Sequence, residues 1–160
     1  MIFVCVGSRE YPFDRLLKQI DNLIEENIVT DKVFAQIGQS NYIPKNYTFE
    51  RFIDAEQFSD LQSKAEIVIS HGGTGALIGA LKKGKKVIAV PRLAKFGEHI
   101  DDHQTQVSSV LAEKEYLIQV IDVSALGEAI KESKQQSKTR IYDRESNVLD
   151  IIQNFIQENN

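Results

Sequence analysis

The stretch "EIVISHGGTGALIGALKKGKKVIAVPR", from Glu66 to Arg92, decides the fold of this chain. Its first part, Ile67–Ser70, is apolar and rich in β-branched residues, which is typical of a strand buried on both faces. The glycines of "SHGGTG" follow at once, and a helical pattern begins at Thr74. Because glycine adds no side chain to a core, we expect another group to approach the backbone at this turn.

Strand and helix patterns alternate along the rest of the chain. Short apolar runs predict strands at Ile2–Val6, Val33–Ile37, Thr48–Phe52, Ile67–Ser70, Val87–Val90 and Leu117–Val120. Apolar periodicity predicts helices at Phe13–Glu26, Ala55–Lys64, Thr74–Lys83, Glu98–Lys114 and Ser124–Lys134. Ser124 is the candidate N-cap of the last helix. The alternation predicts an α/β fold, a Rossmann-like open parallel sheet with helices on both faces.

The C-terminal part of the chain has a different composition. The run "KESKQQSKTR", Lys131–Arg140, is nearly free of apolar residues and predicts a linker or a solvated helix end. After it, apolar residues recur at helical spacing, at Val148, Ile151, Ile152 and Phe155. We therefore divide the chain into a main domain, residues 1–135, and a polar linker with an amphipathic helix, residues 136–160. That helix either folds back on the same sheet or docks on another chain.

Composition narrows the class of protein. Apolar residues make up 42% of the chain and charged residues 26%, an ordinary balance for a globular domain. The formal net charge of -4 argues against a general affinity for nucleic acid. The single cysteine, Cys5, has no partner within the chain and fits a reducing cytoplasm. No apolar run approaches the roughly 20 residues that span a bilayer, so we expect a soluble protein.

The glycine turn predicts an anion site. Ligands of open parallel sheets bind beyond the carboxyl ends of the strands, where this turn lies. Free N–H groups and the positive end of the helix dipole converge there, and glycine lets a phosphate come close. A tight turn with no ligand is the alternative. A dinucleotide fingerprint fits poorly, because the glycine spacing is wrong and the turn does not follow the first strand.

The three histidines have more than one interpretation. His71 precedes the glycines and is either structural or a hydrogen-bond donor to phosphate that is positively charged when protonated. His99 and His103 lie in "PRLAKFGEHIDDHQ", after the next strand and therefore at the same sheet edge. Their four-residue spacing suits a metal on one helix face, but it fits a polar helix start equally well. With no third ligand evident, we expect no metal.

Four lysines surround Gly84: Lys82, Lys83, Lys85 and Lys86. Gly84 is typical of the residue that ends a helix in the left-handed conformation, and lysines there complement the helix dipole. Contact with an anionic membrane surface is the alternative.

The run "ISHGGTGALIGALKKGKKVIAVPRLAKFGEHIDDHQ" resembles the glycosyltransferase family 28 C-terminal domain, the donor half of a GT-B enzyme. The opening "MIFVCVGSREYPFDRLLKQID" is similar to that of the family's stand-alone members. Those are catalytic subunits of two-component enzymes, including capsular and exopolysaccharide β-1,4-galactosyltransferases. The eukaryotic subunit that adds the second GlcNAc to dolichol-linked GlcNAc is a more distant relative. The resemblance runs from Met1 to about Ile130.

The resemblance implies a site for a UDP-sugar. Its donor-binding residues would be Gly7, Ser8, Gly72, Gly73, Thr74, Gly75, Pro91, Arg92, Asp102, His103 and Gln104. The turn after His71 would hold the pyrophosphate, Pro91 and Arg92 would border the uracil, and Gln104 would face the donor sugar or the pyrophosphate. Many family members carry at position 79 a Glu that binds ribose. Gly79 stands there in this chain, so ribose recognition must differ.

The resemblance also implies an inverting transfer of a sugar, galactose in those relatives, from UDP to a lipid-linked acceptor. The helix N-terminus, His71 and Arg92 would stabilise the leaving diphosphate without a metal or other cofactor. The base for the acceptor hydroxyl would be Glu98, His99 or a group of the partner. A membrane-associated partner subunit would supply the acceptor and hold this chain at the inner face of the membrane.

Two other functions fit parts of the same pattern. A non-catalytic nucleotide-sugar-binding or scaffold module would explain the Gly at position 79. The "GGTG" run also echoes nucleotide N-glycosidases, whose chemistry needs an acid on the following helix. Gly79 and Ala80 supply none, which disfavours that reaction.

Overall fold

The computed structural model describes residues 1–136 and 148–158. Its strands are β1 (Ile2–Cys5), β2 (Val33–Gln36), β3 (Thr48–Glu50), β4 (Ile67–Ser70), β5 (Lys86–Ala89) and β6 (Ile118–Gln119). Its α-helices are α1 (Asp14–Glu25), α2 (Ala55–Lys64), α3 (Thr74–Lys82), α4 (His103–Glu113), α5 (Leu126–Gln135) and α6 (Val148–Glu158). Short 3₁₀ helices lie at Ala94–Phe96 and Val123–Ala125.

The six strands form one parallel sheet in the order β3-β2-β1-β4-β5-β6. The predicted Rossmann-like α/β fold is therefore confirmed. After β1 the chain builds one half of the sheet outward to β3, and it then returns to pair β4 with the other side of β1. The carboxyl ends of β1 and β4 thus flank the switch point, where open α/β sheets bind their ligands.

Each face of the sheet carries its own core because side chains alternate along the strands. Val4 of β1 belongs to the core that includes residues of α1 and α5, whereas its neighbour Phe3 belongs to the core that includes residues of α3, α4 and α6. Both side chains are completely buried. Burial on both faces explains why the central strands β1 and β4 are almost continuously apolar, as the sequence predicted.

Two predicted helix starts are wrong. The helix expected from Glu98 begins at His103, because the Glu98 side chain is buried and bound elsewhere in the fold. The helix expected to begin with Ser124 as its N-cap begins at Leu126. Ser124 instead lies in a 3₁₀ helix whose cap is Asp122, since the Asp122 carboxylate accepts the Ser124 N–H at 2.9 Å.

The C-terminal helix α6 folds back on the domain. Ile152 is 3% exposed and belongs to the core on the α4 side of the sheet, and Ile156 packs against the same core. The start of the predicted linker, up to residue 135, is the end of α5. The rest of the run Lys131–Arg140 reaches beyond the described residues.

The lysine cluster at the end of α3 contacts its own domain. Gly84 has φ of +67° and its N–H donates to Leu81, as expected for the residue that ends a helix. Lys83 donates to Ser59 at 2.6 Å, and Lys86 pairs with Glu66 at 3.7 Å. These contacts favour a role at the helix end. Within the described ranges, no helix has the length and apolar character needed to cross a membrane.

Candidate functional site

A cleft of about 850 Å³ opens at the carboxyl edge of the sheet, over the switch point. Loops that follow β1, β3, β4 and β5 form its walls. Many predicted donor-binding residues line it: Gly7, Ser8, Gly72, Gly73, Thr74, Gly75, Arg92, His103 and Gln104. The candidate catalytic residues His71 and His99 line it as well. The structure thus gathers groups that are far apart in the sequence.

The floor of the cleft is the glycine turn between β4 and α3. Gly72 has φ of +90°, a conformation that strains any residue with a side chain. Gly73 is the N-cap of α3, and no side chain caps this helix start. The first N–H groups of α3 therefore lack a side-chain partner beside the cleft, which is the arrangement that binds phosphate.

His71 explains why two of the glycines are needed. A Cβ at Gly7 would lie 2.7 Å from His71 Nε2, and one at Gly73 would lie closer still. The imidazole ring is thus the group that first approaches the backbone at these positions. Sequence reasoning assigned that approach to a phosphate alone.

His71 is held neutral. Burial, and secondarily the positive charge of Arg92, lower the pKa of His71 to about 4. Nδ1 lies 3.2 Å from the carbonyl oxygen of Cys5. Because a carbonyl only accepts, Nδ1 carries the proton, and Nε2 keeps its lone pair between the two glycine turns. A positively charged imidazole, one of the roles expected from the sequence, is thus disfavoured at neutral pH.

Gln36, which sequence reasoning missed, fixes the turn after β1. Its Oε1 accepts the Gly7 N–H at 3.2 Å, and its Nε2 donates to the Gly7 carbonyl at 3.0 Å and to Arg51 at 2.8 Å. Gly38 packs so closely that a Cβ there would lie 2.5 Å from the Gly7 oxygen. The backbone conformation of the Gly7 turn is therefore set by Gln36, the last residue of β2, and by Gly38 just after it.

Arg92 lies under the cleft and is 1% exposed. One guanidinium nitrogen, Nη2, donates to the Val6 carbonyl, and Nε has no hydrogen-bond partner. Burial lowers the pKa of Arg92 to about 10, although the nearby Glu98 opposes the shift, so the side chain stays charged at neutral pH. Pro91 is buried, and its carbonyl accepts from Arg15.

Glu98 has structural contacts that compete with a role as base. It is 3% exposed and binds Arg15 at 2.7 Å. Its second oxygen accepts the Leu93 N–H at 2.9 Å. Both oxygens are occupied in holding the loop after β5 against α1. The role of Glu98 as a base stays a prediction that this geometry disfavours.

The segment that leads into α4 places the other predicted residues. Asp102 accepts the Ala94 N–H at 2.9 Å, and Gln104 accepts the Arg92 N–H at 3.3 Å. His99 Nδ1 lies 3.2 Å from the Asp101 carboxylate. His99 precedes the helix that His103 begins, so the two do not share a helix face. Among the described residues, no cluster of three or more His, Cys, Asp or Glu side chains could hold a metal ion.

An apolar wall forms the side of the cleft that sequence reasoning missed. It consists of Phe52 and Ile53, from the loop between β3 and α2, and of Phe58 from α2 itself. Phe52 is 48% exposed, unusually open for a phenylalanine. A flat aromatic ligand can stack on such a surface. The sequence predicted a strand at Thr48–Phe52, but the strand ends at Glu50, so Phe52 lies outside the sheet and is free to line the cleft.

Gly79 faces α2. A Cβ at this position would lie 3.1 Å from Oε1 of Gln62, whose side chain is 3% exposed and donates to the Ala76 carbonyl. Gln62 therefore fills the space beside the position where the family resemblance implies a ribose-binding Glu.

The fold and the site together define a Rossmann-like domain with a ligand cleft at the switch point of its sheet. The model of the Glycosyltransferase family 28 C-terminal domain matches residues 1–158, and the chain belongs to that family. This match extends beyond Ile130, where the resemblance in the sequence was expected to end. The chain is thus a glycosyltransferase domain of the GT-B type.

Curated relatives carry the name "UDP-N-acetylglucosamine transferase subunit ALG13". The human protein is 28% identical over 125 residues, which are 72% of this chain and 10% of that protein. The Yarrowia lipolytica protein is 26% identical, over 95% of this chain and 82% of its own length. The chain thus spans about a tenth of the human relative and most of the yeast one.

Solved structures share the fold. Acinetobacter baumannii MurG superposes with a TM-score of 0.60 at 16% identity, over 96% of this chain and 49% of that chain. A solution structure of ALG13 gives a TM-score of 0.57 at 18% identity, over 86% of this chain and 87% of that chain. The glycosyltransferase SnogD from Streptomyces nogalater gives a TM-score of 0.60 at 17% identity, over 98% of this chain and 39% of that chain.

Proposed function

We propose that this chain is the catalytic, donor-binding subunit of a two-component inverting glycosyltransferase that uses a UDP-sugar. The observation that carries the proposal is the start of α3, which opens without a side-chain cap on a cleft of about 850 Å³. The diphosphate would bind the N–H groups of Thr74 and Gly75, with Gln104 near the sugar. No cofactor is proposed.

The apolar wall is our proposed site for the uracil ring. Phe52, Ile53 and Phe58 offer a surface on which a base can stack, whereas Pro91 is buried. This placement replaces the one that the resemblance implied for Pro91 and Arg92. With Gln62 packed on Gly79, the ribose hydroxyls must find partners elsewhere on the cleft wall.

The reaction forms a bond between the acceptor oxygen and the anomeric carbon. The bond from that carbon to the diphosphate breaks, and its electron pair leaves with UDP. The acceptor proton passes to a base. Within this chain His99 is the better-placed candidate, because it lines the cleft while Glu98 is bound to Arg15. A base from the partner subunit is the other source.

The partner would be a membrane-associated subunit that brings a lipid-linked sugar acceptor, so the chain would work at the inner face of the membrane. The relatives are named as subunits of a UDP-N-acetylglucosamine transferase, which supports assembly with a second chain. The sequence resemblance predicted galactose and a capsular or exopolysaccharide product. The names of the relatives favour N-acetylglucosamine. Both donors share UDP, and the test distinguishes them.

The second candidate is a non-catalytic nucleotide-sugar-binding or scaffold module of such a complex. The packing of Gln62 on Gly79 favours it, since a ribose-binding Glu is absent from that position. A scaffold would bind UDP and leave transfer to other chains.

The test measures UDP binding and sugar transfer separately. UDP should raise the Tm of the chain, because a ligand that binds only the folded state stabilises it. Transfer of radiolabelled galactose or N-acetylglucosamine from UDP to membrane lipid is then measured with and without the candidate partner subunit, which is the product of the gene next to the one that encodes this chain. We expect transfer only with both chains, and a decrease of at least about 100-fold for His71→Ala, because its ring sets the positions of the Gly7 and Gly73 turns that line the cleft.

Asp60→Ala is the control, because Asp60 forms only an exposed pair with Lys64 and should transfer like the unaltered chain. UDP binding without transfer of either sugar would favour the scaffold. A chain that does not bind UDP at all would refute both.

A further inference from the structure

A ribose in the cleft needs a hydrogen-bond acceptor, and position 79 does not supply one. Ribose hydroxyls donate hydrogen bonds, and in doubly wound sheets a carboxylate is a common acceptor for them. Gly79 has no side chain, and the buried Gln62 occupies the space beside it. A carboxylate that binds the ribose must therefore come from another part of the cleft wall.

Among the described residues, two carboxylates line the cleft, those of Asp54 and Asp101. Asp101 already has contacts, because its Oδ1 accepts the His103 N–H at 3.0 Å and lies 3.2 Å from Nδ1 of His99. It follows β5, and in the sheet order β1 and β4 lie between β5 and β3, the strand that precedes the apolar wall. Asp101 is therefore poorly placed for a ribose whose base stacks on that wall.

Asp54 directly follows the first two residues of the apolar wall, and one of its oxygens is free. It is the N-cap of α2, and its Oδ1 accepts the Gln57 N–H at 2.8 Å. Its Oδ2 has no hydrogen-bond or ion-pair partner among the described residues, and the residue is exposed. A carboxylate oxygen accepts a stronger hydrogen bond from a hydroxyl than a neutral group does.

The proposed path of the nucleotide passes this free oxygen. The helices α2 and α3 both begin at the carboxyl edge of the sheet, and they pack together, since Gln62 of α2 donates to the Ala76 carbonyl of α3 at 3.0 Å. The proposed base site is the wall around the start of α2, and the proposed diphosphate site is the start of α3. The ribose joins the base to the diphosphate, so it crosses from one helix start to the other, beside Asp54.

We propose that the free oxygen of Asp54 accepts a hydrogen bond from the ribose of the donor, and that this contact makes the site selective for a ribonucleotide. The inference rests on the proposed function and deepens it, because it names a residue that selects the sugar of the nucleotide. One carboxylate oxygen holds the start of α2, and the other binds the ligand.

The experiment is a thermodynamic cycle between Asp54 and the ribose hydroxyls. UDP and 2′,3′-dideoxy-UDP, which lacks both hydroxyls, are titrated by calorimetry into the unaltered chain, Asp54→Asn and Asp54→Ser. Asn and Ser cap helices about as well as Asp, so both variants should keep their Tm, but neither has the second anionic oxygen. The unaltered chain should bind UDP at least about 5-fold more tightly than the dideoxy compound, and in both variants this ratio should fall to about 2 or less.

The direction of the change separates a hydrogen bond from simple electrostatics. Asp54 and UDP are both negatively charged, so removal of the charge alone would tighten the binding of both ligands. Loss of the hydrogen bond weakens UDP only, and the dideoxy compound should bind the variants at least as tightly as it binds the unaltered chain. Asp60→Asn is the matched control. It makes the same substitution on α2 at an exposed residue outside the cleft, and it should leave the ratio unchanged.

The outcomes distinguish this inference from the proposed function. If the unaltered chain binds UDP and the dideoxy compound equally, or if its preference for UDP persists in both Asp54 variants, the assignment of Asp54 to the ribose is wrong and the UDP site stands. If the unaltered chain binds neither compound, the proposed function itself fails.

Discussion

Two polar regions of this domain satisfy their buried groups in opposite ways. Asp21 of α1 is 1% exposed and accepts from Tyr42, Lys45 and Asn46, in the loop between β2 and β3, at 2.8 to 2.9 Å. At the carboxyl edge of the sheet, buried groups lack partners: Arg92 Nε beside the cleft, and Thr105 Oγ1 in the first turn of α4.

The difference separates a stabilising region from a binding region. Buried polar groups in native proteins nearly always have partners, so the exceptions call for an explanation. Here they occur where the fold and the glycine turn place a ligand cleft. Proteins break local rules of stability mainly at functional sites, and the carboxyl edge fits that description.

The largest effect on stability should come from the satisfied loop. Asp21→Ala removes the charged acceptor of three hydrogen bonds, and we expect it to lower the free energy of unfolding by about 3–5 kcal/mol. Urea unfolding measures this loss. Well below the Tm, the Kd of UDP should stay within about twofold, since the loop does not line the cleft. Asp60→Ala, with its exposed pair to Lys64, should change stability by less than about 0.5 kcal/mol.

A large effect of Asp21→Ala on UDP affinity in the folded chain would break the proposed division between the two regions. The aromatic wall follows β3, so such coupling would show that the loop also positions the uracil.

The next effect is a dependence of stability on pH that comes from His71. Its pKa is lowered from 6.5 to about 4 in the folded chain, so between these values the unfolded chain binds more protons. Stability is therefore full above about pH 6.5 and decreases as the pH falls toward 4, by roughly 3 kcal/mol. His71→Asn can still donate to Cys5 but does not titrate.

The measurement is the difference in urea stability between the unaltered chain and His71→Asn at pH 7 and pH 4.5. Other acids, such as Asp101, contribute equally to both and cancel. An identical loss in both proteins would show that His71 is not buried as a neutral ring.

The fold was predictable because each strand carries its own signal. Ile67–Ser70 appears with its predicted bounds, and β1 and β2 each end one residue earlier than predicted. A strand that is buried on both faces needs apolar residues at successive positions, which makes it recognisable in the sequence, and the glycines mark the turn that follows. The position of the cleft then follows from the general rule for parallel sheets.

Parts of the site were not predictable because they depend on distant partners. Glu98 looks like the first turn of a helix, yet Arg15, 83 residues away, draws it into the core. Gln36 acts only because β2 lies beside β1, which places its amide on Gly7. The sequence pattern places Phe52 in a strand, but β3 ends at Glu50, and this early end is what places Phe52 in the cleft wall.

The smallest effect is expected from two hydroxyl groups on α4. They test, within a single helix, the contrast between buried polar groups with and without hydrogen-bond partners. Ser108 is fully buried and donates to the Gln104 carbonyl at 2.8 Å, whereas Thr105 Oγ1 has no partner. Ser108→Ala should therefore lower the free energy of unfolding by about 1 kcal/mol. Thr105→Val replaces the hydroxyl by a methyl group of similar shape and should be neutral or slightly stabilising. Thermal unfolding of the chain without UDP measures both changes. A loss of about 1 kcal/mol for Thr105→Val would mean that the Thr105 hydroxyl has a hydrogen-bond partner.

The same two variants are then compared with saturating UDP. If the ligand forms a hydrogen bond with the Thr105 hydroxyl, Thr105→Val loses part of the UDP-induced rise in Tm, and Ser108→Ala keeps all of it.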